Sequence, residues 1–115
     1  VKQDSVKAME WYLKAATQGH AISQYNLGAM YDCGIKVKQD IVKAAGWYLK
    51  AASQGEVDSQ CNLGSIYLKG EGGIKKDIPN AHKWFVKAAS QGHANSQHRL
   101  GVIYYKGEGV KQDFV

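Results

Sequence analysis

The sequence predicts an all-α solenoid in which pairs of helices repeat along the chain, with about six helices in 115 residues. The first observation is a repeat, because Trp11, Trp47 and Trp84 lie 36 and 37 residues apart. The second is hydrophobic periodicity, since the apolar residues around each tryptophan recur at the spacing of an amphipathic helix. The third is that no stretch shows the alternating pattern of a β-strand.

The helix that carries the tryptophan, which we name helix B, has one apolar stripe. In the middle repeat the stripe consists of Ala44, Trp47, Tyr48, Ala51 and Ala52. A potential capping aspartate precedes each helix B, at Asp4, Asp40 and Asp77. A glycine that can end the helix follows it, at Gly19, Gly55 and Gly92. The three tryptophans are therefore predicted to be one core position that occurs three times.

The second helix of each repeat, which we name helix A, carries a Leu-Gly pair and a tyrosine three residues after the glycine. The pairs begin at Leu27, Leu63 and Leu100. Glycine inside a helix costs about 1 kcal/mol relative to alanine. Its recurrence at one position therefore predicts that a neighbouring helix packs too close for a side chain. Gly34, Gly70 and Gly107 are expected to end these helices.

Two stretches carry a family resemblance. Residues 47–55, WYLKAASQG, resemble the WYxKAAxQG signature of Sel-one-like repeats, and residues 59–70, SQCNLGSIYLKG, are similar to the family's AQxNLGxxYxxGxGV segment. The resemblance recurs in every unit. It implies a tetratricopeptide-like fold, in which antiparallel helix pairs stack into a right-handed superhelix with helix A before helix B.

In this order, residues 1–115 form a single array that we interpret as part of a longer one. It comprises a partial unit with helix B at 4–18, repeats at 21–55 and 57–92, and a partial repeat at 94–115. Two connections depart from the family's GxG loop. Lys36 stands where the second glycine is expected, and one extra glycine lies in the pair Gly72-Gly73. We expect both loops to differ in shape.

Several helix A positions differ between units, while the packing positions agree. Their offsets place them on one stripe, turned away from the packing stripe. The resemblance implies that this face lines a concave groove, and we assign it as the binding surface for a peptide or protein: Ile22, Tyr25, Ala29, Asp32, Asp58, Cys61, Ser65, Leu68, Lys69, Asn95, His98, Val102, Tyr105 and Lys106. The alternative is that these positions vary because they are simply exposed.

Within this face the side chains suggest distinct roles. Tyr25, His98 and Tyr105 are the candidate anchors, because aromatic residues with a polar end are favoured at interfaces. Lys69 and Lys106 could bind a carboxylate. Three helices about 10 Å apart would present a groove of roughly 20–30 Å, which fits an extended peptide of about six to nine residues.

The net charge of +5 does not indicate a nucleic-acid partner. Most lysines lie in loops or on helix B, and Arg99 is the only arginine in the chain. No run of about 18 apolar residues occurs, so we expect no direct membrane insertion. The segment Gly70-Glu71-Gly72-Gly73 follows a helix and lacks the Gly-Lys-Ser/Thr ending of a phosphate loop. No catalytic, metal-binding or cofactor motif is present, so we expect neither an enzyme, a metal nor a cofactor.

The predicted function is a non-enzymatic scaffold or adaptor that binds a protein or peptide partner in the groove. The alternative is a structural module that self-associates end to end through exposed terminal helices. Cys33 and Cys61 occupy different positions of the repeat, so we expect no disulfide between them. Unpaired cysteines slightly favour a reducing compartment, and with no signal peptide visible the localisation is left open.

Overall fold

In the computed structural model, which describes residues 3–107, the chain consists of six α-helices. They are α1 (Ser5–Thr17), α2 (Ala21–Cys33), α3 (Ile41–Ser53), α4 (Val57–Lys69), α5 (Ile78–Ala89) and α6 (Ala94–Lys106). Helices α1, α3 and α5 are the helix B type, and α2, α4 and α6 are the helix A type. Residues 3–107 contain no strand, and the particle is elongated, 55 × 28 × 23 Å. The predicted all-α helical-repeat solenoid is confirmed.

Each helix B begins where the sequence predicts, at an aspartate that accepts a hydrogen bond from the backbone N–H three residues later. The carboxylate of Asp40 accepts from the Lys43 amide at 3.0 Å. Asp4 and Asp77 cap α1 and α5 in the same way. The caps satisfy backbone N–H groups that have no partner inside the helix.

Each helix A begins at a different kind of cap, which was not predicted. The ring Nδ1 of His20 accepts from the Ser23 amide at 3.2 Å, and His93 does the same for Ser96 in α6. In α4 the Glu56 carboxylate takes this role. His20 and His93, which follow the helix-ending Gly19 and Gly92, are therefore structural capping residues.

The loops after α2 and α4 share a left-handed residue two positions after the glycine that ends the helix, and the second loop has a further left-handed residue at Gly73. Gly72 has φ 62°, and Lys36 at the equivalent position has φ 58°. This left-handed region is unfavourable for a residue with a side chain, by roughly 1–2 kcal/mol. The loop that lacks the glycine therefore keeps the left-handed turn at the expense of local strain.

The recurring helix A glycines lie under aromatic rings of the next helix B. A Cβ atom at Gly28 would lie 2.6 Å from Cδ1 of Tyr48, and one at Gly64 would lie 2.9 Å from Cε1 of Phe85. The predicted close approach is thereby confirmed at both glycines. Gly101 is open, because no helix B follows α6 within residues 3–107. The ring on the glycine fixes how closely helix A and the following helix B pack.

Glutamine side chains that were not predicted as contacts join one unit to the next. Gln60 on α4 donates to the carbonyl of Ala52 on α3 at 3.1 Å. Gln91, just beyond α5, donates to the Gln60 side-chain oxygen at 2.9 Å. An equivalent link in the preceding unit runs through Gln54, Gln24 and Ala16. Because Gln24 and Gln60 are buried, these bonds replace the water they would otherwise contact.

The prediction that all three tryptophans are core residues is wrong for Trp11 and holds fully only for Trp84. Trp84 is 5% exposed and packs against α3 and α4, whereas Trp11 is 66% exposed. Trp47 is half-buried, with the Lys50 ammonium 5.0 Å from its ring. The position is covered by the preceding unit, and nothing precedes α1 within residues 3–107. The period of the sequence identifies the equivalent tryptophan in each unit, but it does not show whether another helix packs over the side chain.

Candidate functional site

The three helix A helices lie side by side, with α4 between α2 and α6. Asn62 on α4 lies close enough to Tyr25 on α2 to lower the pKa of its hydroxyl. On the other side of α4, the Asp58 carboxylate lies 3.5 Å from Nε2 of His93, the residue that caps α6. We refer to the predicted binding residues on these helices as the helix A face.

At the junction of α2 and α3, the helix A face is polar and tightly connected. The Tyr48 hydroxyl donates to the Asp32 carboxylate at 3.0 Å. The rings of Tyr25 and Tyr48 are 5.9 Å apart and tilted by 37°. Asn62 lies near both hydroxyl groups and lowers the pKa of each. Tyr25 and Asp32, which were predicted to contact a partner, are therefore held in place by Tyr48.

The environment of these tyrosines keeps both phenols neutral. Burial raises the pKa of Tyr48 above its ordinary value of 10.0, and the Asp32 carboxylate raises that pKa further. The pKa of Tyr25 is also raised, first by burial and then by the charges of Asp58 and Glu56. The Tyr48 hydroxyl therefore retains the proton that it donates to Asp32.

At the junction of α4 and α5, the equivalent positions are apolar. Phe85 stands in place of Tyr48, Leu68 in place of Asp32, and Cys61 in place of Tyr25. They join a cluster completed by Ile78, Ala81 and Ile103. Cys61 lies in this core and is only 7% exposed, and Leu68 packs on the cluster half-buried. Cys61 is therefore not available to a partner.

The residue types at two helix A positions, those of Tyr25 and Asp32, thus change together with the aromatic residue of the next helix B. A tyrosine ring has a polar partner, and a phenylalanine ring has an apolar one. On α6, where no such ring follows within residues 3–107, the equivalent His98 and Tyr105 are exposed, Tyr105 to 88%. Packing therefore accounts for Asp32, Cys61 and Leu68 without a ligand.

The remaining predicted residues fall into two exposed rows and a half-buried strip. The first-turn row lies at the beginning of the helices and consists of Ile22, Asp58 and Asn95. The last-turn row lies at their ends and consists of Lys69 and Lys106. Between the rows lie the half-buried Ala29, Ser65 and Val102. The rows are eleven residues apart along each helix, which is about 16 Å.

Sequence reasoning missed the residues that connect the face. Tyr48 was placed in the packing stripe, and its hydroxyl contact with Asp32 was not predicted. Asn62 was not selected, although an asparagine recurs at the equivalent Asn26. Comparing two units at a time would have found the pair, since Tyr48 with Asp32 becomes Phe85 with Leu68.

The described part of the chain offers no built chemical centre on this face. Among residues 3–107, no three side chains of histidine, cysteine, aspartate or glutamate come together as a metal site requires. In the same residues, no helix has the length and apolar character needed to cross a bilayer. The thiols of Cys33 and Cys61 are both free. The helix A face is therefore a surface for contacts, formed by side chains that differ from unit to unit.

Comparison with protein families gives a match along the whole chain. The family model described as Sel1 repeat matches residues 1–20, 21–56, 57–93 and 94–115. A search of curated proteins gave no significant match.

Three solved structures with similar architecture share 41%, 36% and 30% sequence identity with the chain. A protective antigen of uropathogenic Escherichia coli strains, which displays an SLR fold, is 41% identical with a TM-score of 0.93 over 98% of this chain and 24% of its own. A Sel1 repeat protein from Oxalobacter formigenes is 36% identical with a TM-score of 0.92, over 98% of this chain and 45% of its own. Helicobacter pylori cysteine rich protein B is 30% identical with a TM-score of 0.79, over 85% and 73%. The chain therefore spans less than half of the first two proteins.

Proposed function

Because the chain belongs to the Sel1 repeat family, whose members are generally protein-interaction scaffolds and typically not enzymes, we propose that it binds a peptide or protein partner on its helix A face. The partner is bound without chemical conversion. The exposed first-turn and last-turn rows supply the contacts, and the glycine-ring and glutamine packing beneath them holds the helices in register.

The observation that carries this proposal is the first-turn row. Ile22, Asp58 and Asn95 are exposed and differ in chemistry, one apolar, one acidic and one amide. The residue after each of them is a buried serine in all three units, at Ser23, Ser59 and Ser96. Packing fixes the serines, whereas the residues next to them keep exposed side chains, even at Asp58, whose carboxylate lies 3.5 Å from His93 of the next unit. Unit-specific side chains on an identical framework are what a selective binding surface requires.

The arrangement also describes the partner. Three helices about 10 Å apart offer a row of roughly 20–30 Å, which matches an extended segment of about six to nine residues. Asp58 in the middle of the first-turn row favours a basic side chain, and Lys69 and Lys106 in the last-turn row favour acidic ones. The opposite charges of the two rows would set the direction of the bound segment.

The experiment that tests the proposal is selection from a random peptide library, followed by affinity measurements on two variants. Ile22→Ala/Asp58→Asn/Asn95→Ala alters the first-turn row. Val6→Ala/Leu13→Ala/Val42→Ala alters similarly exposed apolar residues on α1 and α3 and is the matched control. We expect the first variant to bind the selected peptides about tenfold more weakly and the control to bind like wild type.

Equal affinity of wild type and the first-turn variant, at unchanged helicity and melting temperature, would refute the assignment of the helix A face. Loss of affinity in the helix B control alone would move the site to the other side of the array.

We propose self-association through the end helices as the second candidate. Trp11 favours it, because this large apolar side chain is 66% exposed at the position where Trp84 is 5% exposed. On the same helix pair, a cavity of about 420 Å³ opens between α1 and α2, lined in part by Tyr12 and Met30. Light scattering over a concentration series tests this candidate. A mass that grows with concentration and returns to the monomer in Trp11→Gln would support it, and a constant monomer mass would exclude it.

A further inference from the structure

A cleft of about 710 Å³ lies on the helix B side of the array, between α3 and α5. Its floor contains Trp84 and Ala52, both buried, together with the side chain of Gln60 from α4. Leu49 on α3 and Val86 on α5 line it as exposed apolar side chains. The cleft thus offers an apolar surface that no part of residues 3–107 covers.

Two lysines stand at this cleft and share one ring. The ammonium groups of Lys83 and Lys87 lie 4.8 Å and 5.8 Å from the centre of the Trp84 ring. Such cation–π contacts hold the long side chains near the cleft and leave their charge available. Both lysines line the cleft.

The positive charge at the cleft is not neutralised within the described chain. Helices α3 and α5 carry four lysines and no aspartate or glutamate. Among residues 3–107, no ion pair joins Lys83 or Lys87 to a carboxylate. A cleft that combines exposed apolar side chains with cations that form no ion pair is complementary to a segment that carries both carboxylates and an apolar side chain.

The second lysine is a feature of this cleft and not of the repeat. At the equivalent place between α1 and α3, Gly46 stands where Lys83 stands, and Trp47 has the single Lys50 over its ring. Trp47 is half-buried, whereas Trp84 is buried at the base of its cleft. The α3–α5 cleft therefore differs from its neighbour in charge and in depth.

We propose that the α3–α5 cleft is a second docking site, which binds an extended acidic segment of a partner protein. Carboxylates of the segment face Lys83 and Lys87, and an apolar side chain between them packs on Leu49 and Val86. The site lies on helix B and is independent of the helix A face, so it would let the array hold two protein segments at once.

The experiment uses two capped hexapeptides as probes, one with glutamates around a central leucine and one with glutamines in place of the glutamates. Each is titrated into isotope-labelled protein at low ionic strength. We expect the glutamate peptide to shift the Trp84 indole and the methyl groups of Leu49 and Val86, and the glutamine peptide to bind about tenfold more weakly. Added salt should lower the affinity of the glutamate peptide towards that of the glutamine peptide.

A pair of variants separates this cleft from the overall charge. Lys83→Gln/Lys87→Gln should reduce binding about tenfold, whereas Lys7→Gln/Lys14→Gln, which removes the same charge from α1, should leave it unchanged. Circular dichroism melting checks that both variants remain folded. An equal loss in the two variants would overturn the proposal, because binding would then follow net charge alone.

Vesicles with and without phosphatidylserine form the last arm. Binding to the anionic vesicles that requires Lys83 and Lys87, with no shift from the glutamate peptide, would overturn the proposal and assign the cleft to a membrane surface. No binding of either probe would also overturn it.

Discussion

The two inner junctions of the array, α2 with α3 and α4 with α5, fill the same space with different chemistry. In the first, the Tyr48 ring covers Gly28 and its hydroxyl donates to Asp32 at 3.0 Å. In the second, the Phe85 ring covers Gly64 and the position of Asp32 is taken by Leu68. Both junctions have an aromatic ring over a glycine. The polar pair Tyr48–Asp32 of the first is replaced in the second by the apolar pair Phe85–Leu68.

This difference shows that helix A residues vary for two separate reasons. Residues beside the ring change together with it, because a buried hydroxyl needs a partner and a buried phenyl ring does not. The first-turn row is exposed and its variation does not follow the ring, although Asp58 also lies 3.5 Å from His93 of the next unit. Once the residues that vary with the ring are set aside, the exposed first-turn and last-turn rows remain as the candidate site.

The largest effect is expected from substitutions that disrupt the feature common to both junctions, the aromatic ring packed on a glycine. Gly28→Leu and Gly64→Leu should each lower the free energy of unfolding by about 3 kcal/mol or more, since a side chain there would overlap the ring of Tyr48 or Phe85. Gly101→Leu is the matched control, because a Cβ at this position meets nothing within 4 Å. Helix propensity should make the control neutral or more stable by up to about 1 kcal/mol. Chemical denaturation measures all three, and equal effects at the three glycines would contradict the packing account.

The next prediction exchanges the two junctions. Phe85→Tyr should cost about 1–3 kcal/mol, because the new hydroxyl would be buried beside Leu68 without a partner. Tyr48→Phe should cost about 1 kcal/mol, because Asp32 loses its donor.

A double-mutant cycle sharpens the exchange. Adding Asp32→Leu to Tyr48→Phe should recover most of the stability, since the first junction then has the side chains of the second. Strictly additive effects of the two substitutions would show that the pair is not coupled.

A smaller effect distinguishes the junctions at alkaline pH. The pKa of Tyr48 is higher in the folded state than its ordinary value of 10.0. The contribution of its protonated hydroxyl to the free energy of unfolding is therefore complete below pH 10.0 and is lost as pH rises above it. Wild type should therefore lose about 1 kcal/mol of unfolding free energy relative to Tyr48→Phe between roughly pH 9 and pH 11. Parallel curves for wild type and Tyr48→Phe would disprove the role of the Tyr48 proton.

The smallest effect concerns the loops that lead into the junctions. Lys36→Gly should raise the free energy of unfolding by about 0.5–1 kcal/mol, because glycine adopts φ 58° without steric cost. Gly72→Lys should do the reverse and cost more, since a Cβ at Gly72 would overlap Ile41. A Lys36→Gly protein that is no more stable than wild type would show that the turn is not strained.

The helices themselves could be predicted closely from the sequence. The expected helix at 4–18 is α1 (Ser5–Thr17), and the partial repeat expected from residue 94 begins with α6 (Ala94–Lys106). Capping aspartates and helix-ending glycines are local signals, and they act within a few residues of the boundary that they set. The close approach at Gly28 and Gly64 was predictable for a related reason, because a glycine inside a helix has a cost that only packing compensates.

What the sequence did not reveal depends on neighbours in space. The stripe of a helix shows which side is apolar but not whether another helix covers it, so Trp11 and Trp84 looked alike. Cys61 and His98 occupy the same repeat position, yet one is buried and the other exposed, because only the first faces a following ring. The glutamine contacts escaped prediction because their donors and acceptors lie in different units.

The most direct test of the helix A face is to map a bound peptide by chemical shifts. Peptides selected from a random library against Lys83→Gln/Lys87→Gln, a background in which the α3–α5 cleft is disabled, would be titrated into the isotope-labelled variant. Our account predicts that the largest shifts fall on the first-turn row of α2, α4 and α6, at Ile22, Asp58 and Asn95, with smaller ones at Lys69 and Lys106. Shifts confined to α1, α3 and α5 would contradict it.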